Sequence, residues 1–419
     1  MRALLAFTGS RGDTQPGILL TRELIRRGHQ VTLALPPNLL HAAADYGIAA
    51  IPFGPDTAKG LRAHLNQPVS GNPIKRIHAL RANNRRGLAE AAEDLLSALS
   101  AAAGVDVIIG GMVNHELARG VAAHAGVPIA AVHFFPVLPS RSVPVIPTAL
   151  GQRLPGVVNY LCWSAFCHAR AWAVAPDIDT LSRRAPPIGK VPEVTIQAYD
   201  ERLFGSLGTE WGSDRPFTGF LVPPSSTSIL DDRLSEWLSA GNSPVYAGFG
   251  SMPIADPDAT IRLLRRSCER AERRLLFVAG WSAVDPVFTP ELVIVPSVDH
   301  SVVLPRCAVA IHHGGSGTTA AVLRAGVPSV VCSFIGDQPY WGQRLQALGL
   351  GTTVPFSRLT GRQLDTLLEA ATSDPVVQRA AAFAAGFRHD GVQRAADIIE
   401  QFAQTTSPAA PVTARRWSR

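Results

Sequence analysis

Residues 308–351, AVAIHHGGSGTTAAVLRAGVPSVVCSFIGDQPYWGQRLQALGLG, are the stretch from which the fold can be read. The apolar run 309–311 predicts a buried strand, and Gly314, Gly315 and Gly317 let the backbone turn tightly without a Cβ penalty. Ser316, Thr318 and Thr319 are expected to cap a helix that runs to Arg324 and stops at Gly326, with a second buried strand over 327–334. Free N–H groups and the positive end of the helix dipole would then meet at Gly317 and Thr318, where a pyrophosphate is stabilised. His313, just before the turn, is placed to donate one more hydrogen bond to it.

Three pieces of this stretch, HHGGSGT (312–318), RAGVP (324–328) and DQPYW (337–341), together resemble the donor-site signature of glycosyltransferase family 1, the GT-B transferases that use UDP- or dTDP-sugars. GSRGDTQP (9–16) resembles the first loop of bacterial members that glycosylate glycopeptide antibiotics, lipids and sterols. GFGSMP (248–253) resembles the first loop of the C-terminal domain in the sterol-type and lipopeptide-type branch. NPIKRIHALR, HFFPV, IQAYDERLFG and EWGSDRPFTGFL are similar to actinobacterial, especially mycobacterial, transferases associated with glycopeptidolipids. The likeness covers nearly the whole chain and thins only after about residue 404.

That family implies an α/β GT-B fold, two doubly wound Rossmann-like domains facing across a cleft. Residues 1–222 would form the acceptor-binding domain, 223–232 a linker, 233–404 the nucleotide-sugar domain and 405–419 a mobile tail. The final helix would have the option of crossing back onto the first domain. The alternation agrees: strands are expected at 3–7, 30–35, 105–109 and 128–134, then at 245–249, 275–279 and 292–295, with helices between them. The Gly-, Pro- and polar-rich run 53–73 reads as a long loop near the ligand edge of the first sheet.

Asp13 ends the first strand just ahead of a helix with Pro16 near its first turn, a place where Asp serves stability as readily as chemistry. The resemblance puts it where family members carry the general base, His in many and Asp in this bacterial branch. By the same likeness, His313, Gly315, Ser316, Gly317 and Thr318 take the diphosphate, with Ser251 or Arg11 assisting. Asp337 and Gln338 take the sugar hydroxyls. Trp281 and Val298 lie beside the nucleotide base. His312 should point away from His313 if the strand persists, and reads as structural or acceptor-facing. On the acceptor side, Asn114, His115 and Glu116 either line the site or form a satisfied loop cluster.

Residues 154–175 read as a buried helix or, alternatively, as a membrane-surface or lipid-acceptor face, in which Trp163, Phe166 and Trp172 form an apolar wall. No run reaches the eighteen or so apolar residues of a span. With 419 residues, 46% hydrophobic and 17% charged, the chain suits two full cores rather than disorder. Its net charge of +6 suits peripheral contact with an anionic membrane, and its dispersed arginines do not suggest nucleic acid. Five cysteines without a CxxC pair point to a reducing cytoplasm rather than a disulfide framework or zinc site, and no targeting peptide is apparent. Asp177 and Asp179 match the DxD pattern of metal-dependent transferases, but the spacing is common, so neither metal nor cofactor is expected.

Two enzyme classes drop out on motif grounds: an oxidoreductase, because the first loop lacks G-x-G-x-x-G, and a P-loop NTPase. A sugar-nucleotide epimerase is disfavoured by the acceptor-side aromatic segment and Asp13, and a retired binding scaffold by the presence of Asp13, His313 and Asp337. The expected activity is inverting transfer of a hexose or 6-deoxyhexose to a hydroxyl of a lipopeptide or glycolipid. A sterol or antibiotic acceptor is the alternative.

Overall fold

The computed structural model describes residues 1–60, 73–102, 104–148, 151–184, 190–224, 231–252, 254–282 and 284–406, without the side chains of 73–86 and 175–184. Most of the expected 53–73 loop, the centre of the expected linker, the tail beyond 406 and the side chains of Asp177 and Asp179 lie outside the described residues.

The first unit is built on six parallel strands: β1 (Arg2–Ala6), β2 (Gln30–Leu35), β3 (Ala50–Pro52), β4 (Val107–Gly111), β5 (Ile129–His133) and β6 (Glu193–Gln197). They lie in the order β3-β2-β1-β4-β5-β6. Period-2 alternation sends Ala3, Leu5 and Phe7 into one core and Leu4 and Ala6 into another, so the central strand is apolar throughout. The second unit holds β7 (Val245–Gly248), β8 (Leu275–Val278), β9 (Val287–Phe288), β10 (Leu292–Val295), β11 (Val309–His312), β12 (Ser329–Ser333) and β13 (Gly351–Pro355). Its order is β13-β12-β11-β7-β8-β10-β9, with only β9 antiparallel. Leaving β9 aside, both sheets reverse direction between their first and fourth strands, between β1 and β4 and between β7 and β11. Ligands of doubly wound sheets bind beyond the carboxyl ends of the strands at such points.

The chain divides as 1–145, 154–221 and 390–419 in the first unit and 146–153 with 222–389 in the second. The helix Gly391–Thr406 therefore leaves the second unit and packs on the helix Arg11–Arg26 of the first. Its buried Val392, Ala395, Ala396, Ile399 and Ala403 recur at helical spacing and join the core that holds Leu20 and Leu24. Arg27 secures the contact with bonds to Glu23 (2.8 Å), Asp397 (2.6 Å) and Glu400 (2.7 Å).

The helix Gly156–Arg184 departs from a simply buried one. Trp163 is 4% exposed, but Leu161 is 61% and Trp172 58% exposed, so one side packs and the other faces outward.

Candidate active site

In the second unit four loops converge on His313. The Trp281 N–H donates to the Gly250 carbonyl at 3.1 Å, tying the loop after β8 to the loop after β7. A Cβ on Gly250 would stand 3.1 Å from His313 Cε1, and one on Gly315 would overlap Nε2, so the imidazole is held between two glycine backbones. The Gln338 amide donates to Met252 Sδ at 3.2 Å, and its Oε1 accepts from the Phe334 and Ile335 N–H groups at 2.8 and 3.2 Å. Ser251, Trp281, His313, Gly315 and Gln338 are thereby brought to the carboxyl end of one sheet. Val298 is half-buried and packs against the core of this unit.

His313 is 8% exposed, and its Nδ1 is buried with no hydrogen-bond partner among the described residues. Burial and the His300 charge push its pKa down to about 4, so at neutral pH it is an uncharged imidazole with one N–H to give. His312 behaves differently. It accepts from the Gly314 N–H at 3.2 Å and pairs with Ser329 Oγ at 3.2 Å, shaping the turn from beneath.

The expected side-chain caps on the next helix are not there. Gly315 is the N-cap of the helix Ser316–Ala325, no side chain accepts from its first turn, and the Thr319 hydroxyl is itself buried and unpartnered. Ser316 is the first helical residue and Thr318 the third, too far in to cap, so the leading N–H groups stay available to an anion. Further along, Asp337 caps the helix Gln338–Ala347 by position, and Trp341 Nε1–H fixes its Oδ2 at 2.9 Å. Gln338 is 5% exposed and spends its carbonyl oxygen on the backbone, which makes it a brace for this loop.

In the first unit the helix starts earlier than expected, at Arg11, with Ser10 as N-cap and Asp13 as its third residue. Pro16 thus sits inside the helix rather than near its start. The spacing of Ser10 and Asp13 is a capping-box signal that marks this start in the sequence. Ser10 N–H and Oγ–H donate to Asp13 Oδ2 at 2.7 and 2.8 Å, and Oδ1 has no hydrogen bond to any described residue. Gly9, at φ +119°, permits this: a Cβ there would stand 2.5 Å from Oδ2. Burial raises the carboxyl pKa, and the two Ser10 bonds pull it back down. The cap occupies one oxygen and leaves the other open.

The other acceptor-side candidates divide. Asn114 Nδ2–H donates to the Ala6 carbonyl at 3.1 Å. His115 pairs with Glu193 at 2.7 Å and with buried His133 at 3.0 Å, while Glu116 takes Arg170 at 2.8 Å. Each of the three is engaged within the first unit by a separate partner. Arg11 is exposed at the helix start, Trp163 Nε1–H donates to the Val143 carbonyl at 3.0 Å, and Phe166 is 45% exposed. Two anchors carry no sequence signal: Met252, seated under Gln338, and Glu210, which accepts from Ser140, Arg141 and Ser142 and holds the loop after β5. Among the described residues, no group of three or more His, Cys, Asp or Glu could hold a metal ion.

Two doubly wound parallel units, each with its loops gathered at the switch point, define the GT-B class of α/β proteins. Residues 3–116 match the model of the glycosyltransferase family 28 N-terminal domain, and 287–391 that of the erythromycin biosynthesis protein CIII-like C-terminal domain. An uncharacterised glycosyltransferase of Mycobacterium leprae is 33% identical over 423 residues, covering 96% of each chain. The O-mycaminosyltylonolide 6-deoxyallosyltransferase of Streptomyces fradiae is 28% identical, covering 98% of this chain and 99% of its own. In fold, the chain is similar to the crystal structure of the kitacinnamycin glycosyltransferase, with TM-score 0.67 at 21% identity over 96% and 99% of the two chains. The chain belongs to the GT-B glycosyltransferases and is a glycosyltransferase.

Proposed function

We propose that this enzyme moves a hexose or 6-deoxyhexose from a UDP- or dTDP-sugar to a hydroxyl of a hydrophobic acceptor, a lipopeptide or glycolipid, with inversion at the anomeric carbon. The observation that carries the reading is the uncapped start of the helix Ser316–Ala325 beside the unpartnered Nδ1 of buried His313. An anion with several oxygens suits both, and the leaving nucleoside diphosphate is such an anion. Its developing charge would be met by the N–H groups of Ser316, Gly317 and Thr318 and by the His313 N–H, all in place before the reaction. Asp337, with Oδ2 fixed by Trp341, would take a sugar hydroxyl. Because the helix start and His313 do this work, no metal is needed.

The acceptor hydroxyl is a weak nucleophile until its proton leaves. Asp13 Oδ1 would accept that proton as the hydroxyl oxygen bonds to the anomeric carbon, while the bond to the diphosphate oxygen breaks on the opposite face and its electrons leave with the nucleotide. An α-linked donor then gives a β-glycoside, and a β-L-sugar an α-linkage. The apolar acceptor is supported by the outward Leu161, Phe166 and Trp172. The Streptomyces fradiae relative, named a 6-deoxyallosyltransferase and so a transferase of a 6-deoxyhexose, supports the sugar class. We place the enzyme in the cytoplasm, at the inner face of the membrane.

The test is a mass-spectrometric screen of UDP-glucose, dTDP-glucose and dTDP-rhamnose against lipid, lipopeptide and sterol pools, with Asp13→Asn in parallel. A glycosylated mass from one donor, absent in the variant, supports the reading. Equal product from Asp13→Asn removes Asp13 as the base, and failure of every donor to bind removes the sugar-nucleotide site.

A further inference from the structure

The stretch EWGSDRPFTGFL (210–221) takes no part in the transfer chemistry, yet it holds a poorly compensated cation, Arg215. The chain here runs beside the end of β6: the Pro216 carbonyl accepts from Gln197 N–H at 2.8 Å, and Thr218 N–H donates to the Gln197 carbonyl at 3.0 Å. Half-buried Arg215 is thereby held near the carboxyl end of that edge strand. Its guanidinium lies over the Trp211 ring, 4.9 Å from the centroid. Trp211 is itself fixed, by Nε1–H to the Pro139 carbonyl at 3.2 Å and by stacking on Phe217 with centroids 6.2 Å apart. A guanidinium has five N–H donors, and among the described residues this one makes a single bond, 3.4 Å to the same Pro139 carbonyl.

The carboxylates around it are committed elsewhere. Glu210 is turned to the loop after β5, where its oxygens accept from Arg141 N–H at 2.6 Å, Ser140 Oγ–H at 2.9 Å and Ser142 Oγ–H at 2.8 Å. Asp200 is paired with Arg202 at 2.7 Å, and Asp214, next to Arg215 in the chain, is exposed and makes no ion pair among the described residues. Burial pulls the Arg215 pKa down, and the opposing influence of Tyr160, Tyr199, Cys167 and Glu210 does not restore it. Arg170 shows the settled alternative, bonded to Glu116 at 2.8 Å and to the Met112 carbonyl at 2.6 Å. A cation drawn partly out of water, stacked on an aromatic face and short of acceptors is suited to an oxyanion, because the guanidinium fork matches a carboxylate or phosphate bidentately. We propose that Arg215 binds an oxyanion of the acceptor, a carboxylate or a phosphate, so that the acceptor is an anionic amphiphile rather than a neutral sterol. Tyr160 and Cys167 bring the helix Gly156–Arg184 to its flank, the helix whose outward rings suit the apolar part of that molecule.

The proposal rests on the reading that the first unit takes a hydrophobic acceptor, and its test needs no donor. The full chain is titrated with decanoate, decyl phosphate and decanol, each below its micelle or solubility limit, and binding is followed by tryptophan fluorescence. At least one of the two anions should bind about tenfold or more tighter than decanol, the worth of a charged hydrogen bond, and the tighter of them names the group. Arg215→Gln should bring that anion to within about twofold of the alcohol. Arg215→Lys, which keeps the charge without the fork, should retain an intermediate preference. Arg22→Gln, which removes the same charge from the exposed side of the helix Arg11–Arg26, should bind like wild type. Melting temperatures establish that each variant is folded, and UDP and dTDP affinities, measured by calorimetry, should be the same in all of them. The proposal is overturned if neither anion binds, if decanol binds as tightly as both, if Arg215→Gln and Arg215→Lys keep the full preference, or if Arg22→Gln loses as much as Arg215→Gln. If neither nucleotide binds while the Arg215-dependent preference stands, the donor reading fails and the oxyanion site remains.

Discussion

Two helices begin at the carboxyl end of a strand bordering a switch point, and they treat their leading N–H groups in opposite ways. The helix Arg11–Arg26 is closed by its own side chains: Ser10 and Asp13 form a capping box, and a carboxyl group already occupies the positive end of the dipole. The helix Ser316–Ala325 has glycine at the N-cap, no side-chain cap and a buried imidazole with an unpartnered nitrogen beside it. The first start presents a fixed carboxylate that repels an anion and attracts a proton. The second attracts an anion. One strand-to-helix turn thus carries the proposed base in one unit and the proposed diphosphate cradle in the other, and what differs is whether the cap is a side chain or a glycine.

The largest effect should come from breaking the closed start. Asp13→Asn keeps the cap acceptor and should lower kcat by about 10² to 10⁴ while nucleotide affinity, measured by calorimetry, stays at the wild-type value. A matching loss of affinity would mean that the two starts share one role. Because burial raises the Asp13 pKa and the base must be ionised, wild-type kcat/KM should fall on the acid side as pH drops through that raised value. Asp13→Asn should abolish this limb in its residual rate.

The open start should fail in the complementary way. His313→Ala should cost about 10² to 10³ in kcat and also weaken nucleoside diphosphate binding. Gly315→Ala, whose Cβ overlaps His313 Nε2, should reproduce most of that loss without removing a polar group. If Gly315→Ala binds nucleotide like wild type, the cradle does not depend on the close approach of glycine to imidazole.

A smaller effect separates scaffold from site. Arg27→Ala breaks contacts to Glu23, Asp397 and Glu400 and should cost about 1–3 kcal/mol, between the values for exposed and buried pairs, seen as a lower melting temperature and earlier proteolysis of the C-terminal helix. Nucleotide affinity should not change. The pH dependence has a definite sign. The Arg26 bond, and against burial the Arg27 bond, depress Glu23 from 4.5 to about 2. Its contribution is therefore complete above the unfolded value and is lost as pH falls from 4.5 towards 2. Thermal melts over that range should show a steeper decline for wild type than for Glu23→Gln.

Much of the second unit was legible because its information is local. The strand, turn, helix and left-handed Gly326 stop follow one another within twenty residues, and glycine identity alone signals where the backbone must turn. What misled was capping chemistry: Ser and Thr after a glycine turn suggested caps, whereas the N-cap is Gly315 itself. In the first unit the Ser10–Asp13 spacing held the helix start, but Pro16 drew the expected boundary later. Asn114 and His115 carry side chains suited to a site, and only their partners Ala6, Glu193 and His133, far away in the chain, show that the Asn114 amide N–H and the His115 ring are engaged by the scaffold.

By itself the sequence determined the class of fold, the order of strands and helices, and the glycine turn that opens the helix Ser316–Ala325, since each depends on neighbours within a few turns of chain. The tertiary structure decided which Asp13 oxygen is left open, that the helix Gly391–Thr406 joins the first unit, and which side of the helix Gly156–Arg184 faces outward. These rest on contacts between residues dozens to hundreds of positions apart, as from Arg27 to Glu400, and periodicity along one segment carries no record of what packs against it.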